Sequence, residues 1–249
     1  NLKEEHNKIM CQLLGVSSNK RVDIGFSLRE FQHRGRRNHH GWGFAFYQDG
    51  DWKIIKEPSS LAEKDIKDEG FHFRSKMIIG HVRLASCGSQ GHLNTHPFKN
   101  NKWVFAHNGT VSRIMKDPQF ALTAFKPVGK TDSEYAFCYL LEKISAGFEN
   151  IKEVLQAEAL KIRQYGNFNF LLSDGETLFA HGDNSLYYVQ RKAPFNAVSL
   201  IDDQCSVNLG EIKAQDEKAV IIATEPLTAN EKWKGIQGIR IFRNGEAQD

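Results

Sequence analysis

Apolar residues along this chain fall mostly into short runs separated by charged or glycine-bearing turns, and the runs read as strands. They are Gln12–Val16, Gly43–Tyr47, Trp52–Lys56, Met77–Arg83, Trp103–His107, Asn167–Ser173, Thr177–His181, Ser185–Gln190 and Ala219–Thr224. Gln48-Asp49-Gly50-Asp51 joins the second to the third, and Ser173-Asp174-Gly175-Glu176 joins the sixth to the seventh. Asp-Gly between two apolar runs is a hairpin signal. Two segments switch to a helical period. After Thr131-Asp132-Ser133-Glu134 the residues Phe137, Leu140, Leu141 and Ile144 share a face, and a second pattern runs from Ile151 to Arg163 with Val154, Leu155 and Leu160 apolar. Antiparallel hairpins with helices bunched mid-chain predict an α+β layered architecture rather than a parallel α/β sheet. No repeat, low-complexity tract or Gly/Ser-rich linker interrupts the pattern, so residues 11–249 are expected to form one domain.

Composition narrows the function classes. With 33 Lys and Arg against 30 Asp and Glu the net charge is only +3, and no basic block makes a nucleic-acid footprint. The longest unbroken apolar run, Tyr135 to Leu141, is far short of the roughly 20 residues a spanning helix needs, so no membrane partner is expected. The first residues are charged and lack the apolar core of a secretory signal. Cys11, Cys87, Cys138 and Cys205 lie far apart without a Cys-x-x-Cys pair, which argues against a zinc ribbon or redox dithiol. The cytoplasm is the expected compartment.

Three segments carry candidate chemistry. In Gly80-His81-Val82-Arg83-Leu84-Ala85-Ser86-Cys87-Gly88 a buried strand ends in an arginine before a small-residue turn. Arg83 is either an exposed strand end or a planar, two-pronged grip for a carboxylate. In Trp103-Val-Phe-Ala-His107-Asn108-Gly109 the Asn-Gly pair reads as a tight turn. Alternatively, the Asn108 amide and Gly109 N–H converge as an oxyanion hole. In Gly129-Lys130-Thr131-Asp132-Ser133-Glu134, Thr followed three residues later by Glu is a capping-box pattern. It explains Thr131 and Glu134 and leaves Asp132 open to pairing with a ligand ammonium. His39, His40, His81, His92, His96 and His107 fall in these polar parts, but no His-x-His or His-Glu-x-x-His spacing points to a metal.

Taken in order, Cys11 after a methionine, "QHRGRRNHHGWGF" with Arg34-Gly35, "HVRLASCG", "NTHPF" at Asn94–Phe98, "AHNGTV" and "GKTDSE" form a set that resembles the class II glutamine amidotransferases. Their glutaminase domain belongs to the N-terminal nucleophile hydrolases. The late "ATEPLTANEKW" (Ala223–Trp233) is similar to their stand-alone YafJ-type branch. The resemblance implies a four-layer αββα sandwich of two stacked antiparallel sheets, with no cofactor and no metal. It further implies that Cys11 is the nucleophile, with its own α-amine as base, and that Asn108 and Gly109 bind the oxyanion. Arg83 and Asp132 would hold the α-carboxylate and α-ammonium of a γ-glutamyl group, Ser86, Cys87 and His107 would line the pocket, and Arg34, Gly35, His81 and His96 would support it. Synthase-linked members often carry Trp and His where this chain has Leu84 and Cys87, so the loop over the substrate is expected to differ.

The expected activity is hydrolysis of a γ-glutamyl amide, in glutamine or a γ-glutamyl peptide or conjugate, through a thioester on Cys11. The alternatives are a glutaminase subunit that passes ammonia to a separate synthase partner, and a non-catalytic γ-glutamyl sensor. Residues 1–10 are expected to be a tag or propeptide that must be removed, because a Cys11 nitrogen held in a peptide bond cannot act as a base.

Overall fold

In the computed structural model, which describes residues 11–65, 74–84, 89–147 and 150–248, the runs become β1 (Gln12–Asp23), β2 (Gly41–Gln48), β3 (Asp51–Glu57), β4 (Arg74–Arg83), β5 (Phe98–Asn100), β6 (Trp103–Gly109), β7 (Phe168–Ser173), β8 (Leu178–Gly182), β9 (Tyr187–Lys192), β10 (Ala197–Ser199), β11 (Ser206–Asn208), β12 (Lys218–Ala223), β13 (Lys234–Gly235), β14 (Gly238–Arg243) and β15 (Glu246–Gln248). The helices are α1 (Gly25–Gly35), α2 (Asp132–Ser145), α3 (Ile151–Ile162) and the single turn α4 (Leu209–Ile212). One sheet runs β13-β9-β12-β1-β4-β2-β3 and a second runs β15-β14-β8-β7-β6-β5, every pairing antiparallel. Among the described residues no helix is long and apolar enough to cross a membrane.

Strand alternation sorts the core into layers, because successive side chains point to opposite faces. From the first sheet, Leu14, Val16, Phe44, Ile78, Val82 and Ile221 pack under Leu28 and Phe31 of α1. Their neighbours Leu13, Ala45, Met77, Ile79, Val220 and Ile222 face the second sheet, meeting Val104, Ala106, Leu171 and Ala180. The alternate residues of that sheet, Phe105, Phe168, Phe170 and Leu172, pack against Phe137, Leu140, Leu155 and Ile162 of α2 and α3. The order α1, sheet, sheet, α2 with α3 is the expected αββα sandwich.

The turns follow their chemistry. Asp49 (φ 53°) and Gly50 (φ 88°) sit in the left-handed region and close the β2–β3 hairpin, where Gln48 pairs with Asp51. Asn244-Gly245 does the same between β14 and β15, an Asn-Gly signal that the strand reading passes over. Two helical details differ from expectation. Leu160 faces solvent, and α3 instead buries Leu155, Ala159 and Ile162 together with Glu158, whose carboxylate accepts from the Tyr139 hydroxyl at 2.6 Å. Thr131 does cap α2, its Oγ1 accepting from Glu134 N at 3.1 Å, but the Glu134 carboxylate does not return to the cap residue. It accepts instead from Val128 N (3.0 Å) and Gly129 N (2.6 Å), tying down the preceding loop.

Candidate active site

The same alternation builds the site. Cys11 precedes β1 and shares parity with Leu13, so it belongs to the face turned toward the second sheet. On the neighbouring strand Leu13 pairs with His81 and Gln12 with Val82, which sets Arg83 beside Cys11 on that same face. From the second sheet Asn108 follows Val104 and Ala106 into the inter-sheet layer. His107 follows Phe105 outward to α2, where its Nδ1 lies 2.8 Å from Ser133 Oγ. The outcome is one narrow cavity lined by Cys11, Arg83, His96, His107, Gly109 and Asp132, closed by Leu84, Thr131 and Ser133.

Cys11 is half-buried and is held on both sides by one residue. Its Sγ accepts from Leu84 N at 3.1 Å, and its S–H donates to Leu84 O at 3.2 Å. Burial pushes the thiol pKa up to about 11, against the pull of the Leu84 hydrogen bond and the nearby Arg83 charge. The Asp132 carboxylate, at the start of α2, is fixed by two main-chain donors, Val111 N from the segment after β6 at 2.6 Å and Ser133 N of the first helical turn at 3.0 Å. Accepting N–H groups at a helix N-terminus suits a negative charge. His107 Nε2 faces the Asn167 carbonyl at 3.2 Å. A carbonyl only accepts, so Nε2 carries the proton and Nδ1 accepts from Ser133. Burial holds His107 below the usual imidazole range, in keeping with this neutral form.

Asn108-Gly109 is not a turn. Both residues continue β6, opposite Asn169 and Phe168 of β7. Gly109 has φ +150°, and a Cβ there would lie 1.8 Å from the Asn167 carbonyl oxygen, so only glycine fits. The Asn108 amide donates to Thr224 Oγ1 at 3.3 Å, and that oxygen also accepts from Leu13 N at 2.9 Å.

The remaining residues singled out by sequence lie around this centre. Buried Arg34 reaches from α1 to Gln12 Oε1 (3.2 Å), Glu225 O (3.2 Å) and Pro226 O (2.5 Å), bracing the residue that follows Cys11. Gly35 packs where a Cβ would come within 3.1 Å of Leu61. His81 and His96 lie with ring centroids 4.2 Å apart and planes tilted by 33°, and His96 in turn meets Phe98 at 4.4 Å with planes tilted by 57°. Burial drives His81 down to about 3 and His96 well below the ordinary histidine value, so both are neutral rings beside Arg83. Ser86, Cys87 and the extension 1–10 lie outside the described residues. Sequence reasoning does not single out Thr224, Asn169 or Ser133. The available signal was parity, since Thr224 continues the alternation of Val220 and Ile222, and Asn169 that of Leu171.

Comparison with known proteins agrees with this geometry. The family description "Glutamine amidotransferases class-II" matches residues 10–249. A Haemophilus influenzae protein assigned as a glutamine amidotransferase is 37% identical, over 96% of this chain and 86% of its own length. Escherichia coli YafJ, likewise assigned, is 32% identical over 95% of this chain and 99% of its own. A 2.0 Å crystal structure of a predicted glutamine amidotransferase from Pseudomonas aeruginosa superposes with a TM-score of 0.70 at 28% identity, covering 96% of this chain and all of the other. The chain belongs to the class II glutamine amidotransferases and is an enzyme of their N-terminal-nucleophile type.

Proposed function

We propose that this enzyme hydrolyses a γ-glutamyl amide through a γ-glutamyl thioester on Cys11. The observation that carries the reading is the single cavity in which the Cys11 thiol, the Gly109 main chain, Arg83 and Asp132 meet. Arg83 and Asp132 have opposite charges, and together they match the α-carboxylate and α-ammonium of a free glutamyl head group. A thiol whose pKa is raised to about 11 needs a base to react at neutral pH. The α-amine of an N-terminal Cys11, with a reference pKa near 8, is suited to that task. Both His107 nitrogens are already engaged.

In the proposed sequence the amine takes the thiol proton and Sγ attacks the γ-carbonyl carbon. The resulting oxyanion is received by the Asn108 amide and Gly109 N–H. The C–N bond then breaks, with the proton passing from the ammonium to the departing amine. Water, deprotonated by the same amine, attacks the thioester, the C–S bond breaks, and glutamate leaves as the thiol is reprotonated. Removing one oxyanion donor typically slows such a reaction by roughly 10²–10³.

The test is protein trimmed to begin at Cys11, assayed with glutamine, glutathione and γ-glutamyl dipeptides beside Cys11→Ala. We expect turnover by the trimmed enzyme and none by the variant, with the thioester visible by mass spectrometry after acid quench. Trimmed enzyme inert on every substrate and unlabelled at Cys11 by a glutamine-like diazoketone would sink the hydrolase reading. Activity that appears only on adding a synthase would make it a glutaminase subunit.

A further inference from the structure

The Asn108 side chain stands at the centre of a closed ring of hydrogen bonds that crosses from one sheet to the other. Its Nδ2 donates to Thr224 Oγ1 at 3.3 Å. The Thr224 carbonyl accepts from Ser185 Oγ at 3.0 Å, and Ser185 N donates to Asn169 Oδ1 at 3.3 Å. Asn169 Nδ2 closes the ring on the Asn108 carbonyl at 3.3 Å. Asn169 is itself locked, because Oδ1 also accepts from Asp183 N (2.9 Å) and Asn184 N (3.2 Å), while Nδ2 donates to Asn184 Oδ1 (2.9 Å). Asn108, Asn169 and Thr224 are all buried. The main chain of Asn108 is thus fixed through Asn169, and its side chain through Thr224.

We propose that Thr224 is a positioning residue that aims the Asn108 amide at the carbonyl being attacked; the proposal rests on the oxyanion role given to Asn108 above. A primary amide has a donor end and an acceptor end on one rotatable plane, and only the donor end stabilises an oxyanion. Thr224 Oγ1 takes one of the two Nδ2 hydrogens, which holds the nitrogen end inward and leaves the second hydrogen for the ligand. The same oxygen accepts from Leu13 N, two residues beyond Cys11. One atom therefore sets the amide's orientation and its distance from the nucleophile's strand. Gly109 needs no such partner, because its N–H direction follows from a strand geometry that only glycine can adopt.

The experiment uses trimmed enzyme carrying Thr224→Val, which keeps the side-chain shape and removes the acceptor. With a γ-glutamyl anilide we expect kcat to fall roughly five- to tenfold, the size of one lost neutral hydrogen bond, with KM nearly unchanged. Thr224→Ser should restore most of the loss. Alkylation of Cys11 by iodoacetamide involves no oxyanion and should keep its rate, which separates amide aiming from damage to β1. In an Asn108→Ala background, Thr224→Val should cost nothing further. An undiminished kcat in Thr224→Val, or the same loss with and without Asn108, would overturn the proposal. Should the parent enzyme prove inactive, the hydrolase reading fails, and the Asn108 side-chain amide protons still decide this one. By NMR they should be protected from exchange in the parent and exposed in Thr224→Val; identical protection would refute the positioning role.

Discussion

The helices α1 and α2 lie on opposite outer faces of the sandwich and both reach the Cys11 end, yet they are held there by different physics. α2 begins with a threonine cap, carries Asp132 and Glu134 in its first turn, and buries Phe137, Leu140 and Leu141 against the second sheet. Its cap and apolar face would favour a helix almost anywhere, and Asp132 is delivered as its first residue. α1 begins at Gly25 behind Ile24, which offers no side-chain cap, and has no acid in its first turn. Its buried face mixes Leu28 and Phe31 with Ser27, Glu30 and Arg34. The Glu30 carboxylate, fully buried, accepts from Asp202 N at 3.0 Å and stands 3.7 Å from the Arg34 guanidinium. A helix held by its own sequence can carry a site residue such as Asp132 at its N-terminus. One held by a buried ion pair braces what lies above it, here Gln12 and the Glu225–Pro226 turn.

The contrast can be broken most sharply at Arg34. At pH 8, where the Glu30 carboxyl is ionised, Arg34→Met should destabilise the fold by about 3–5 kcal/mol, because that charge would stay buried without its cation while Gln12 and two carbonyls lose a donor. Urea unfolding measures it, and a loss under about 1 kcal/mol would show that the ion pair does not hold α1. On α2 the matching change is apolar: Leu140→Ala should cost about 3 kcal/mol through the cavity it leaves. Being apolar, that loss should not vary with pH, whereas the α1 side should. Burial pushes Glu30 up to about 7 from an ordinary 4.5, so between those values the folded protein holds a proton that the unfolded chain has released. Stability from this group is therefore greatest below about 4.5, falls as pH rises toward 7, and is level above. Glu30→Gln should lack that fall, so the gap between its urea midpoint and the parent's should shift in the variant's favour from pH 5 to pH 8. A gap that stays constant would mean that Glu30 titrates as an ordinary carboxylate.

This difference also explains what could be read from the sequence. Every strand expected is present, and the layer order follows from their alternation, because burying one apolar face leaves a period of two in the sequence. α2 was legible for the equivalent reason at a period of 3.6. α1 was not, since "GFSLREFQHRG" buries Ser27, Glu30 and Arg34, and a pattern search scores those positions as polar surface. At the site, Cys11 is marked by the methionine directly before it, and the segments carrying Arg83, Asn108-Gly109 and Asp132 by a charge or glycine where a strand or helix should run on. Asn108-Gly109 still read as a turn, because nothing local reveals that β7 pairs alongside and keeps the pair extended. Thr224 and Asn169 carried no oddity at all. A threonine ending an apolar strand looks ordinary until the opposite sheet places an asparagine amide above it.

The smallest expected effect tests whether α2's self-sufficiency matters to the site or only to the fold. Thr131→Ala removes the oxygen that accepts from Glu134 N, leaving that buried donor unpaired, and should lower stability by about 1 kcal/mol. Such a loss would leave nearly all molecules folded. Asp132 is the next residue, however, and the position of its carboxylate depends on where the helix starts as well as on Val111 N. If Asp132 holds the substrate ammonium and the chemistry is done at Cys11 and Asn108 as proposed, a frayed first turn should raise KM by about two- to fivefold while kcat stays near the parent value. Thr131→Ser should behave as the parent in both. An unchanged KM together with the stability loss would mean that Val111 alone fixes Asp132. A fall in kcat instead would mean that fraying travels through Ser133 to His107, 2.8 Å away, and from there to the floor of the cavity.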